Sequence, residues 1–154
     1  MLSSFPRKQA GVGLIEILVT LLILAVGFLG MAALQANALR LGHSAYVRTQ
    51  ASVLAYDIID RIRANPTVAQ GGGYDIAIGD SGSDVDTCEA AACNTATLAT
   101  YDKQQWLFLL QSQLPKGDGT VSVAGGRVTV TVQWDESRGQ AAQTLATETV
   151  EALL

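Results

Sequence analysis

The sequence has few of the side chains that carry out chemistry or bind nucleic acid. Its 154 residues include one histidine, His43, and two cysteines. His43 has no second histidine or nearby cysteine to complete a metal site, and no glycine run is followed by the Lys and Ser/Thr of a phosphate-binding loop. The ten Lys and Arg residues are scattered over a chain of net charge −4, whereas phosphate contacts need clustered cations. We therefore expect no enzyme, no metal or cofactor site, and no binding of nucleic acid or a small-molecule substrate.

Charge is also missing from the whole stretch between Ile17 and Leu39. About 20 apolar residues are enough for a helix to cross a bilayer, and this stretch is too long for the core of a cleaved secretory signal. Arg7 and Lys8 precede it, so the positive-inside rule keeps the amino terminus in the cytoplasm. A carboxylate costs about 2.5–3.5 kcal/mol at the centre of a membrane helix. A plain signal anchor therefore leaves Glu16, at the rim of this stretch, unexplained.

The residues from Lys8 to Glu16 resemble the prepilin signature of type IV pilins and pseudopilins, in which a basic leader ends in glycine and glutamate is the fifth residue after it. The resemblance implies that prepilin peptidase cuts between Gly11 and Val12 and that the new amine of Val12 is methylated. It also implies that Glu16 docks on the amine of a neighbouring subunit. Val12 stands where Phe is usual, and Gly13 where Thr is usual. A cut after Gly13 is the less favoured alternative, because Glu16 would then be only the third residue.

The apolar pattern after Glu16 predicts one long helix from Ile17 to Ala64. Apolar residues occur on all sides until about Leu34, as in a helix that faces lipid or is fully buried. Beyond Gln35, a spacing of four places Leu54, Ile58 and Ile62 on one face. The sequence Asn65-Pro66 should end the helix, since a residue that precedes proline disfavours the α conformation.

The remainder of the chain is polar and rich in Gly and Thr. We expect an irregular loop from Thr67 to Thr100, a helix from Tyr101 to Gln113, and then three β-strands. Alternation of valine with polar residues marks the first strand around Val121 and the second over residues 128–134. The run Ala124-Gly125-Gly126 predicts a tight hairpin between them, and the third strand is expected at about residues 143–151.

Together these elements predict an α+β, pilin-like fold, in which a long helix packs on a small antiparallel sheet. Residues 1–11 would be the leader and residues 12–65 the helix, with its membrane span at about 17–36. Residues 66–154 would form a periplasmic globular domain. Because Cys88 and Cys93 lie close together in a segment that should face an oxidising compartment, we expect a disulfide between them. Two free thiols are the alternative.

Later features of the sequence resemble PilV-type minor pilins. They are the segment from Asp57 to Pro66, the two cysteines in an Ala-rich context, Asp102 with Trp106, Leu114-Pro115, and the strand that ends at Trp134. This resemblance implies a minor pilin that helps to prime type IV pilus assembly in a tip complex. Its partners would be prepilin peptidase, other minor pilins, the major pilin and the inner membrane. The alternatives are a pseudopilin of a type II secretion system and an unprocessed bitopic membrane adaptor.

Overall fold

The computed structural model describes Gly11, residues 13–137 and residues 145–154. Its helices are α1 (Leu14–Ala64), α2 (Pro66–Gln70), α3 (Thr87–Ala90) and α4 (Thr95–Gln113). Its strands are β1 (Asp118–Ala124), β2 (Arg127–Asp135) and β3 (Leu145–Leu153). The chain divides into two compact units, an amino-terminal unit that ends at Gly42 and a second unit, the head, that begins at His43. The predicted α+β pilin-like fold, a long helix and a small antiparallel sheet, is confirmed.

The amino-terminal unit consists of the first part of α1. The helix begins at Leu14, three residues before the predicted start, and the carbonyl of Gly13 accepts hydrogen bonds from the amides of Glu16 and Ile17 at 3.0 and 3.4 Å. All described side chains of this unit are exposed. By length and apolar composition the helix could cross a membrane.

Within the head, α1 is a core helix. Its buried residues recur at helical spacing and include Ile58, Ile59 and Ile62, all fully buried. The helix ends at Ala64 as predicted, and Pro66 then occupies the first turn of α2. Proline suits that position because the first turn of a helix leaves its amides without intrahelical partners.

The sheet has the order β1-β2-β3 with both pairs antiparallel. Gly125 and Gly126 connect β1 to β2, with φ angles of 58° and 74°. Two successive residues with positive φ form the two-residue turn that matches the twist of a hairpin, so the predicted tight hairpin is confirmed. The next strand, β3, begins at Leu145 and ends at Leu153, two residues beyond the predicted end. The first two residues predicted for it, 143 and 144, lie outside the described residues.

One hydrophobic core joins α1, α4 and the sheet. The even-numbered residues of β2, from Val128 to Trp134, are all fully buried and face this core. A close approach at Gly119 brings β1 against α4, where a Cβ atom would lie 2.6 Å from the Trp106 ring and 2.9 Å from Leu110. Glycine at this position is therefore a requirement of packing.

The prediction of an irregular loop from Thr67 to Thr100 is wrong in part. This segment contains α2, α3 and the first six residues of α4. The side chain of Asn94 accepts a hydrogen bond from the Thr97 amide at 2.9 Å and so caps the amino terminus of α4. Asparagine is among the best capping residues, and α4 therefore begins at Thr95, well before the expected Tyr101.

Candidate functional site

Glu16 lies in the first turn of α1, where a carboxylate interacts favourably with the helix dipole. Its backbone carbonyl accepts a hydrogen bond from Thr20 Oγ1 at 2.6 Å. In the part of the chain that the structure describes, its carboxylate makes no hydrogen bond or ion pair. Glu16 is thus a charged group without a partner at the start of an apolar helix.

The other residues predicted for processing lie immediately before this helix. Gly11 is exposed. Val12, the predicted site of cleavage and methylation, lies outside the described residues. Cleavage between Gly11 and Val12 and methylation of Val12 therefore stay predictions from the sequence.

The apolar side chains on either side of Glu16 have no covering in the part of the chain that the structure describes. Leu14 is 77% exposed, Leu22 67% and Leu29 72%. Contiguous exposed apolar surface of this size marks a protein–protein or membrane contact. Together, the carboxylate and the bare helix form a surface suited to lipid or to other apolar helices.

The head has a second predicted feature, the disulfide between Cys88 and Cys93, which the structure contains. It joins α3 to the residue before Asn94, the cap of α4. The Tyr101 hydroxyl in α4 donates to Glu89 Oε1 at 2.6 Å, and this hydrogen bond raises the pKa of Tyr101. The bridge and the hydrogen bond together hold the short helix against α4.

A buried polar cluster around Asp102 was not predicted from the sequence. Asp102 accepts a hydrogen bond from the Tyr74 hydroxyl at 2.7 Å and pairs with Arg61 at 3.4 Å. The side-chain amide of Asn65 donates to the Tyr74 oxygen at 3.3 Å and to the Thr95 carbonyl at 2.7 Å. Burial, and then the hydrogen bond to Asp102, raises the pKa of Tyr74 to about 12. We call this group the Asp102 cluster. It fixes the end of α1 to α4. The only feature of the sequence that could have indicated the cluster was a charged residue, Asp102, at a core position of a helix.

Another carboxylate, Asp135, is held at the end of β2. It accepts from the Ser137 amide at 2.7 Å and pairs with Lys116 Nζ at 3.1 Å. The hydrogen bonds from Ser137, followed by Lys116, lower its pKa. Asp135 therefore supports the fold near the β2 end.

His43, the only histidine, is exposed at the start of the head. It lines a cavity of about 250 Å³ together with Val47, Pro115 and Trp134. Among the described residues, no group of three His, Cys, Asp or Glu side chains could hold a metal ion. In the loop from Gly79 to Asp86, Asp80 accepts a hydrogen bond from the Ala77 amide at 2.9 Å, and Asp84 accepts one from Gln105 Nε2 at 3.3 Å.

Two family models match the chain. One, described as type IV pilin Tt1218, matches residues 33–104, and the other, described as the prokaryotic N-terminal methylation motif, matches residues 6–32. The matches adjoin, so that together they run from residue 6 to residue 104. No curated protein and no solved structure matches the chain. With its amino-terminal motif, long apolar helix and small antiparallel sheet, the chain belongs to the type IV pilin family.

Proposed function

We propose that this pilin is a minor subunit that primes type IV pilus assembly within a tip complex. The observation that carries the proposal is Glu16, a carboxylate without a partner among the described residues, placed at the start of an exposed apolar helix. Such a group has a use when the chain is stored in a membrane and then stacked among other subunits. The resemblance of the head sequence to PilV-type minor pilins supports the narrower assignment.

In this proposal, prepilin peptidase cuts between Gly11 and Val12, and the new amine of Val12 is methylated. Glu16 then meets the amine of an adjacent subunit. The low dielectric of an apolar filament core strengthens this attraction, and pairing offsets the cost of removing the carboxylate from water. The leader would comprise residues 1–11, the helix residues 12–65 and the globular domain residues 66–154.

Before assembly, the helix would cross the inner membrane once, at about residues 17–36, with the head in the periplasm. The disulfide is consistent with an oxidising compartment. The partners would be prepilin peptidase, other minor pilins and the major pilin. The role would be structural, without a catalytic reaction.

The mass of the mature amino-terminal peptide tests the processing step. We expect a peptide that begins at Val12 and carries one added methyl group. Replacement of Gly11 by leucine should leave a full-length precursor in the inner membrane, because the peptidase requires glycine before the cut. An uncut wild-type chain would instead identify an unprocessed membrane protein.

Deletion of the gene tests the assembly role. We expect fewer pili per cell, restored by the wild-type chain, with secretion of folded proteins unchanged. A loss of secretion at a normal pilus count would identify a type II secretion pseudopilin instead.

A further inference from the structure

The two outer edges of the sheet differ in what covers them. The two-residue turn pairs Ala124 with Arg127, so that the backbone groups of Val121 and Val123 point away from β2. The rest of the head satisfies both groups of Val121 and the amide of Val123. Val121 exchanges two hydrogen bonds with Ile76, at 3.0 and 3.1 Å, and the Val123 amide donates to Asp75 Oδ1 at 3.1 Å. The edge at β1 is thus closed by the chain itself.

Among the residues that the structure describes, little covers the edge at β3. By the same alternation, the even-numbered residues of β3 bond to β2, and Thr147, Thr149 and Glu151 point their amides and carbonyls outward. In the described chain these outward groups have no backbone or side-chain partner. One end is covered, because the Arg63 guanidinium donates to the Leu153 carbonyl at 3.3 and 3.4 Å. An edge of this kind is a template for another extended chain.

Glu148 determines which chain could pair there. It lies half-buried in β3, on the face where Ala146 and Val150 pack against the core. In the part of the chain that the structure describes, it forms no ion pair, whereas Glu151 on the other face pairs with Arg127 at 2.8 Å. A charge on the inner face of an edge strand discourages apolar strands from adding. A strand with a cation at the facing position would remove that penalty.

We propose that the outer edge of β3 binds an extended segment of another protein, antiparallel to β3, with a basic side chain opposite Glu148. Because the outward groups belong to odd-numbered residues, Glu148 would face its partner residue at a non-hydrogen-bonded position. There the Cβ atoms are only about 4.5–5.5 Å apart. A second copy of the chain fits less well. Self-pairing centred on Thr149 would place Glu148 of the two copies diagonally across one face of the ladder, and β3 carries no cation to balance them.

The test uses the full-length chain in detergent micelles and a synthetic nine-residue peptide, Thr-Val-Thr-Val-Thr-Lys-Thr-Val-Thr. Its central Thr can pair with Thr149, so that the Lys faces Glu148. We expect binding by fluorescence anisotropy and slower hydrogen exchange at the amides of Thr147, Thr149 and Glu151. Exchange protection elsewhere, or none at these amides, would overturn the proposal. These amides could also become protected without the peptide, to a degree that grows with protein concentration. That result would identify a second copy of the chain as the occupant and would also overturn the proposal.

Charge exchange tests the role of Glu148. A control peptide with Glu in place of Lys should bind about fivefold more weakly to the wild-type chain, an effect of the size seen for cross-strand charge pairs. The Glu148→Lys variant should reverse this preference. Equal affinity of the two peptides for both chains would refute the pairing with Glu148.

Removal of one backbone donor tests the edge itself. Thr149→Pro removes an outward amide and none of the bonds to β2, and proline is tolerated on an edge strand where its nitrogen faces outward. It should abolish binding, whereas Thr149→Val, which keeps the amide, should bind within about twofold of wild type. If Thr149→Pro does not fold, a peptide N-methylated at alternate residues tests the same hydrogen bonds from the other side. Undiminished binding by that peptide would disprove strand addition.

Discussion

Two parts of the same helix differ in what surrounds them. In the amino-terminal unit, Leu22 is 67% exposed, whereas Ile58, in the head, has no exposed surface. Each buried side chain of this kind contributes about 1.5–3 kcal/mol relative to an exposed one. The head therefore obtains its stability from its own core, while the apolar surface of the amino-terminal unit needs lipid or other chains. Changes in one part should affect assembly, and changes in the other should affect folding.

The largest effect is expected from Glu16→Ala. The chain should still insert, be processed and accumulate, because Glu16 makes no contact that holds the described fold together. Pilus number should fall nearly to that of the deletion strain, since the docking charge is lost. Counts of pili by electron microscopy at equal protein level measure this effect.

Glu16→Gln is the matched control, since it keeps the size of the side chain and removes the charge. It should fail in the same way, and the unfolding midpoint of the head should stay at the wild-type value for both variants. Wild-type pilus counts for Glu16→Ala would show that the carboxylate is not the docking group.

Loss of the disulfide should act on the head alone. The double variant Cys88→Ser, Cys93→Ser should unfold with a free energy lower by about 2 kcal/mol, as expected from chain entropy for a loop this short. Denaturant titration measures this change, and the reduced wild-type chain is the control, which should match the double variant. An unchanged midpoint would mean that the bridge restrains only its own loop.

The two buried tryptophans provide a smaller and sharper test within the head. Both are fully buried, but Trp106 Nε1 donates to the Leu54 carbonyl at 2.8 Å, whereas Trp134 Nε1 has no partner among the described residues. Trp106→Phe should therefore cost about 1 kcal/mol more than Trp134→Phe, the net value of a hydrogen bond. Equal losses in denaturant titration would show that Trp134 also has a partner in solution.

The smallest effect concerns pH. The pKa of Tyr74 in the folded chain, about 12, lies above the ordinary tyrosine value of 10.0. The resulting stability is present below pH 10 and is lost as the pH rises toward 12. The Tyr74→Phe variant should lose less stability than wild type over that range. Tyr56→Phe is the control because Tyr56 is exposed. Its free energy of unfolding, measured by denaturant titration at several pH values, should change with pH as that of the wild type does.

Much of the fold could be predicted from local patterns. The span of α1, the proline that ends it and the two-glycine hairpin each depend on residues adjacent in the chain. The start of α4 and the Asp102 cluster could not be predicted in this way. The first depends on a single capping asparagine, and the second joins Arg61, Tyr74 and Asp102, which meet only in the folded head.

The candidate site divides similarly. Glu16 and its apolar helix could be predicted from the sequence, because the charge and the apolar run belong to one continuous segment of the chain. The edge of β3 could not, because it depends on the order of the strands in the sheet and on Arg63 covering one end. Such coverage is a property of the whole sheet.

The contacts of α1 in the head also set an order of folding. Ser44, near its beginning, donates to Glu136, which is 92 residues later, and Arg63, near its end, donates to Leu153, which is 90 residues later. Contacts this distant in sequence form late, whereas the β1–β2 hairpin can close as soon as it is made. A nascent chain therefore cannot make both of these contacts of α1 until Leu153 has left the ribosome. A truncation of only the final strand would leave the end of α1 without the second of these contacts, although the rest of the helix could still pack on α4.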